Sequence, residues 1–429
     1  MESIFAPIKN AWRIVDIRKK LLITFLLLIV YRLGVYIPIP GMDRSILAGM
    51  VAQQGGLFGY MNIIGGGAFE NASIFAMSIT PYINSSIILQ LLTIAIPALE
   101  RMQKEGEEGR KKLAQWTRYG TVMLGFLQAT FMYIGFGNAV ANKGVLAFLT
   151  VTFSLTAGTA FIMWLGEQIN EYGIGNGISL IIFVNIISRA PSAFATLFNI
   201  IKAYMSEDRL AVGVLIVLAI VLVFLAVVVF VIFVTQAERR LPVQYAKRVV
   251  GRKMYGGQST HIPMKVNMAG VMPIIFASSI MSFIPTIISF VAPNTTSKFL
   301  IALKNFSGNP LYMLIMALLV LFFTFFYTMM AFNPVEVANN IRKNGGFIPG
   351  IRPGKPTSDY ITKVLNRITW FGALFLAIVT ILPSLLELIT QVRIGFAGTS
   401  LLIMVGVALE TAQQIESQLM MRHYKGFLE

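Results

Sequence analysis

Leu210-AVGVLIVLAIVLVFLAVVVFVIF-Val234 is a run of 25 residues with no charged, polar or proline residue. A helix rises 1.5 Å per residue, so about 20 apolar residues cross the roughly 30 Å hydrocarbon core of a bilayer. A membrane barrel would instead show short alternating strands. Working outward from this run, hydropathy places further spans near 21–38, 74–97, 119–141, 146–166, 177–190, 270–292, 310–331, 369–389 and 398–415. The predicted fold class is therefore all-α and polytopic, with ten transmembrane helices. Composition agrees: 56% of the 429 residues are hydrophobic and 13% charged, against roughly 25% charged in soluble domains.

The net charge of +16 sits between the apolar runs, with no basic and aromatic interleaving of a nucleic-acid surface. It is better read as topology, anionic lipid and cytosolic partners. Ten spans put both termini on one side, and that side holds 26 Lys/Arg against eight on the other. Both termini are expected to be cytoplasmic. The basic start followed by Leu21–Pro38 reads as a retained first span, since no small-residue cleavage site follows a short apolar core. Span count suggests two five-span halves, 1–190 and 210–429, about an external hinge at 191–209.

Three features do not fit a plain bundle. Gln54-GGLFGYMNIIGGGAFENA-Ser73 is apolar, glycine-flanked and too short to cross. It reads either as an interfacial helix on the outer surface or as a movable stopper between glycine hinges. The fifth span opens with Tyr172-GIGNG-Ile178 and is shorter than its neighbours, as expected of a helix lining a cavity or of one packed closely. Two cytoplasmic loops, 235–266 and 332–367, are long and charged. The first interleaves Leu241, Val243, Tyr245, Val249 and Val250, and the second presents Arg352 on the rigid Phe347-IPGIRP-Gly354. Both look built to be touched, although the charge asymmetry of topology would supply many of the basic residues.

Catalytic chemistry is not legible. There is no cysteine, and the histidines are His261 and His423 alone, so thiolate, histidine-metal and proton-shuttle chemistry have little to work with. Gly350-IRPGK-Pro356 has three residues between glycines and a proline where a phosphate loop needs Ser or Thr. Neither an enzyme nor a cofactor is expected. Arg32 and Glu410 are the ionisable residues set deepest in apolar runs; they are functional candidates, a helix-packing pair, or residues facing a water-filled funnel. A solute transporter normally gathers polar groups at the midplane. The aliphatic midplane here favours a channel, with an ion-coupled transporter, then a membrane enzyme or insertase, as the alternatives.

Pro81-YINSSIILQL-Leu92 followed by Lys104-EGEEGRKKLAQWTRY-Gly120 resembles the second span and following loop of the SecY family. The resemblance continues in order through Gly173-IGNGISLII-Phe183, Ala246-K-Arg248, Lys265-VNMAGVMPIIFAS-Ser279, Phe332-NPVEVAN-Asn340, Gly346-FIPGIRP-Gly354 and Gly398-TSLL-Ile403. It implies two pseudo-symmetric five-helix halves around an hourglass pore that passes unfolded polypeptide and opens sideways to lipid. By motif, the central ring falls on Ile83, Ile87, Ile178, Ile182, Ile275 and Ile403. The 83/87 and 178/182 pairs share helix faces at i, i+4, and an aliphatic ring blocks ions by dewetting.

The same resemblance implies a plug at about 57–68, with Leu57, Phe58, Tyr60, Met61, Ile63, Ile64, Gly65, Gly66 and Gly67 as its residues. It implies a lateral gate between spans 2 and 3 and spans 7 and 8, with Thr80, Gln90, Asn267 and Ser279 near the seam. Arg240, Lys247, Arg248, Arg352 and Gly354 fall on the docking site for a motor or ribosome. The implied partners are SecE, SecG, the SecA motor ATPase, the ribosome, secretory polypeptides with signal sequences, and membrane lipids. The implied location is a bacterial cell membrane.

Overall fold

The computed structural model describes residues 12, 14–54, 62, 65–136, 139–140, 144–206, 210–245, 248–250, 253–255, 259–291, 310–390 and 398–425. The first half of the chain contains α1 (Val15–Gly34), α2 (Arg44–Gln54), α3 (Thr80–Ala95), α4 (Pro97–Lys104), α5 (Glu107–Phe136), α6 (Val145–Tyr172), α7 (Gly177–Ile187) and α8 (Ala190–Ser206). The second contains α9 (Leu210–Gln236), β1 (Glu238–Tyr245), β2 (Arg248–Val250), β3 (Lys253–Tyr255), β4 (Ser259–Lys265) and α10 (Met272–Val291). It ends with α11 (Pro310–Ala331), α12 (Pro334–Lys343), β5 (Gly346–Phe347), α13 (Lys355–Thr390) and α14 (Gly398–Lys425).

The helical membrane bundle is as expected, and a helix lies at each of the ten predicted spans. Six helical stretches among the described residues are by themselves long and apolar enough to cross: 107–136, 145–172, 177–202, 210–236, 310–343 and 355–382. α3 and α4 pass the same test only as a pair, bent by 101° between Ala95 and Pro97. Pro97 at the start of α4 explains the break, because its ring cannot continue the preceding helix. The remaining expected spans coincide with α1, α10 and α14. Charge shortens the apolar part of α1 at Asp16, Arg18, Lys19 and Lys20, and of α14 at Glu410 and Glu416.

Helix ends differ from the hydropathy edges in one direction. α5 begins at Glu107, not near 119, and α13 begins at Lys355, not near 369. The region 98–118, read as a loop, is α4 plus the charged first turns of α5. Hydropathy sees only the apolar part of a helix, whereas Glu, Arg and Lys propagate one well in water.

The two long charged loops, 235–266 and 332–367, are not plain loops. β1 pairs antiparallel with β4 from Glu238↔Lys265 to Gln244↔Ser259, and β5 joins the other edge of β1 through Gln244↔Phe347. The sheet therefore stitches the two loops together. Leu241 and Val243 point into a small separate core with Met264, Ala338, Ile341 and Ile348. The period-2 apolar pattern expected to serve a partner is thus largely spent on this internal core, as in a half-buried strand. Tyr245 packs partly against it, and the side chains of Val249 and Val250 lie outside the described ones.

Polar residues inside the spans mostly satisfy themselves locally. Thr93, Thr121, Thr156, Thr324, Thr328 and Thr380 each donate to the carbonyl four residues earlier, at 2.6–2.8 Å. Each of these six hydroxyls is thereby satisfied within its own helix, whereas the Thr152 hydroxyl is buried without a partner.

Candidate functional site

The six predicted isoleucines come from four helices and meet in one apolar cluster. Ile83 and Ile87 of α3, Ile182 of α7, Ile275 of α10 and Ile403 of α14 are all buried in it, and Ile178 is packed against it. The helices are linked in a circuit: α3 touches α10, α10 touches α14, and α14 touches α7. α6, which touches both α7 and α3, completes the circuit.

Local chemistry sets α7 in register. Asn176 caps its first turn, its side-chain carbonyl accepting from the amides of Ile178 at 3.1 Å and Ser179 at 3.3 Å. Asn170 at the end of α6 takes the Gly177 amide at 2.8 Å. A Cβ on Gly177 would stand 2.1 Å from the Gly166 carbonyl oxygen, so only glycine lets α7 start this close to α6. Uncapped amides are costly away from water, so the cap and the glycine together fix where Ile178 and Ile182 project.

Of the predicted stopper, Leu57, Phe58, Tyr60, Met61, Ile63 and Ile64 lie outside the described residues. Gly65, Gly66 and Gly67 form a turn that is buried or half-buried. Gly66 and Gly67 have φ of 61° and 91°, in the left-handed region where glycine pays no Cβ penalty. Arg32 of α1 donates to the Gly66 carbonyl at 3.2 Å. A Cβ on Gly66 would lie 2.6 Å from the Asn185 side-chain oxygen of α7. Just beyond, Asn62 and Glu70 exchange two 3.1 Å hydrogen bonds. Glycine here serves close approach to α1 and α7 as much as hinging. Ala72 and Ser78, at φ 52°, show that the whole return segment is tightly turned.

At the predicted seam, Gln90 of α3 accepts a hydrogen bond from the hydroxyl of Tyr327 on α11. It is a polar link between spans 2 and 8, across 237 positions of sequence. Tyr327 also stacks edge-on with Phe276 of α10, centroids 5.0 Å apart, and Phe276 in turn meets Phe323 at 5.9 Å. Tyr327 was not among the sequence candidates; the one available sign was a lone hydroxyl-bearing aromatic in the Phe322–Met330 run. Thr80 opens α3, half-buried, and Ser279 is buried on α10. Asn267 lies before α10, lining a cavity with residues of α9 and α14.

In the region of the sheet, Arg240 is exposed on β1 and paired with Glu238 at 2.6 Å. Arg352 is exposed in a turn whose carbonyl accepts from Thr357 at 2.8 Å. Gly350 and Gly354 hold that turn with φ of 81° and 104°. Lys247 lies outside the described residues, and Arg248 starts β2. Arg32 and Glu410 are not a packing pair: Arg32 engages Gly66, and Glu410 lines the Asn267 cavity beside Lys265. Among the described residues no cluster of His, Cys, Asp and Glu could hold a metal ion.

Known proteins resemble this arrangement closely. The family model described as SecY matches residues 73–412. A protein named protein translocase subunit SecY from Halalkalibacterium halodurans is 48% identical over 99% of this chain and 100% of its own length. Relatives of the same name from Bacillus subtilis and Thermotoga maritima are both 46% identical, over 99% and 98% of this chain and 100% and 97% of theirs. Among solved structures, a protein-conducting channel aligns with TM-score 0.65 at 18% identity, over 93% of this chain and 92% of that one. Sec61 in the canine ribosome–channel complex aligns with TM-score 0.60 at 16% identity, over 93% and 92%.

Proposed function

This chain belongs to the SecY family, and we propose on that premise that it is the pore-forming subunit of a protein-conducting channel. It passes unfolded secretory polypeptides across a membrane and releases hydrophobic segments sideways into lipid. The observation that carries this reading is the convergence of Ile83, Ile87, Ile178, Ile182, Ile275 and Ile403 from four helices into one apolar cluster. A ring of branched aliphatic side chains can close on any passing side chain, offers no fixed charge to trap one, and excludes ions by dewetting when empty. It is a constriction, with no catalytic group and no cofactor of its own.

In this reading 1–190 and 210–429 are two halves hinged at 191–209. Segment 57–68, ending at the Gly65–Gly67 turn held by Arg32, is the plug. The lateral gate is the seam crossed by Gln90 and Tyr327, with Thr80 and Ser279 on the helices that border it and Asn267 at the cytoplasmic start of α10. Support for the gate is physical: a single polar contact beside aromatic stacking is weak enough to part and re-form. The sheet that joins the two cytoplasmic loops presents Arg240, and the neighbouring turn presents Arg352. With Lys247, Arg248 and the Gly354 turn, they form the docking surface for SecA and the ribosome, basic groups matching acidic protein or RNA phosphate. SecE and SecG complete the complex in the plasma membrane of a bacterium, with both termini cytoplasmic.

Site-specific crosslinking from positions 83 and 275 to a secretory chain stalled in transit tests the reading. Crosslinks that require the stalled chain, absent from lipid-facing position 222, are expected. Equal labelling at all three positions would remove the ring from the path.

A further inference from the structure

β1 and β4 each carry a proline within the strand, Pro242 and Pro263, although proline has no N–H to give to a ladder. The register shows how both fit. Pro242 stands opposite His261, and Pro263 opposite Arg240. In an antiparallel ladder the residues of a bonded pair exchange two N–H···O bonds, while those of the alternate pairs turn their N–H and C=O groups away from each other. A proline cannot complete a bonded pair, so 240/263 and 242/261 are alternate pairs. The backbone groups of residues 240, 242 and 244 therefore face the β5 side of β1, and those of 261, 263 and 265 face the outer side of β4.

Both sides hold an open edge. β4 is an end strand of its sheet, and β5 meets β1 through Gln244 and Tyr245. The same register carried two residues further sets Pro349 against Pro242. Each would have to donate an N–H that neither has, which explains why β5 stops after two residues. Beyond it no described strand covers β1, and none covers the outer side of β4. Pro242, His261, Pro263 and Lys265 are all exposed. An open strand edge is a template for any extended chain, and a proline whose nitrogen faces outward withholds a donor from it.

The sheet also stands near the ring. Lys265, at the end of β4, donates to Gln413 of α14 at 2.9 Å. Gln413 lies ten residues beyond Ile403 on the same helix, about 15 Å along its axis. We propose that Pro242, Pro263 and Pro349 keep polypeptide in transit from adding to this sheet as a further strand. An unfolded chain brings its own unpaired N–H and C=O groups past these edges, and the missing donors let it pass without joining a ladder. The inference rests on the channel reading.

The test uses the full chain with its membrane partners in proteoliposomes, a secretory chain stalled in transit, and photo-crosslinkers at position 260 on β4 and position 275 in the ring. Pro263→Val returns the outward donor. It should raise labelling of the stalled chain from position 260 about fivefold, the ratio that one backbone hydrogen bond carries. The amide gained at position 263 should exchange slowly when the chain is engaged and fast when it is not. His261→Val adds the same branched side chain at an edge position that already has its donor, and should label as wild type does. Pro263→Thr repeats the test if Pro263→Val does not assemble. Unchanged labelling from position 260, with labelling from position 275 retained, would overturn the proposal and leave the channel reading standing. An equal gain in His261→Val would assign the effect to the side chain and overturn it as well. Crosslinks to a second copy of this chain in place of the stalled one would mean that the prolines prevent self-association, against the proposal. Absence of labelling from position 275 in the wild type would remove the channel reading and this inference with it.

Discussion

α7 and α9 are both apolar helices of one bundle, and they are built on opposite principles. α9 is 27 residues long, and just 6% of its most apolar window is buried. Leu215, Leu222 and Phe233 stand 62%, 58% and 74% exposed. It is hydrophobic all round and needs no particular side chain, because lipid is as apolar as Leu. α7 has 11 residues, of which Ser179, Leu180, Ile181, Ile182, Asn185 and Ile186 are buried. Its start is fixed by a cap and a glycine, and its neighbours are α1, α6 and α14. Hydropathy finds both helices, and what separates them is the tertiary contact that it does not read.

The largest expected effect would break the comparison if it failed. Ile87→Asn or Ile275→Asn places an amide in the ring, wets it, and should raise resting ion conductance in planar bilayers by about tenfold or more. Leu222→Ala on α9 should leave conductance at the wild-type level. Equal conductance in all three would mean that the ring does not seal the resting state.

What could be read in advance follows the same division. The lipid-facing run at 210–234 announced the fold class, and helices stand at all ten predicted spans. The isoleucines at 83/87 and 178/182 could be paired because i, i+4 spacing is local. Contacts made across long sequence distances were not legible. Tyr327 reaches Gln90 over 237 positions, and the period-2 pattern of β1 gave no sign that β5 would pair with it a hundred residues on. Arg32 could be recognised as a charge set in an apolar run, but its acceptor is a backbone carbonyl, which has no sequence signature.

A smaller effect sharpens the account of α7. Asn176→Ala removes the side-chain acceptor for two amides and should destabilise the protein by about 1 kcal/mol, the usual worth of an N-cap. It is read as a fall in thermal midpoint in detergent. Asn176→Asp should largely restore it, since Asp also caps. Loss of stability in both would assign the effect to the packing of the Asn176 side chain and not to the cap.

The seam should respond less. Tyr327→Phe removes the hydroxyl that donates to Gln90 and keeps the ring against Phe276. In-membrane hydrogen bonds between helices average about 0.6 kcal/mol in double-mutant cycles, so the variant should shift the gate about threefold toward opening. Disulfide trapping between cysteines placed on α3 and α11 reads that shift. The double change with Gln90→Leu should add nothing to the single one. Additive effects would show that the two side chains act separately.

The smallest effect lies outside the membrane and concerns a cap that, unlike Asn176, can titrate. Asp43 accepts from the Ser45 amide at 2.8 Å and from its hydroxyl at 2.6 Å at the start of α2. The Ser45 hydroxyl, then the Ser45 amide, hold its carboxyl below the usual value. A carboxylate depressed in the folded state contributes stability above its unfolded pKa, and loses it as pH falls through the folded one. Amide exchange in the first turn of α2 should therefore accelerate as pH drops below about 4, after correction for intrinsic exchange rates, while the first turn of α7 shows no such step. Asp43→Asn keeps an acceptor for the cap and should abolish the pH step without raising exchange at neutral pH. A step that persists in the variant would have to come from another group, and the contrast between the two caps would then not rest on their titration.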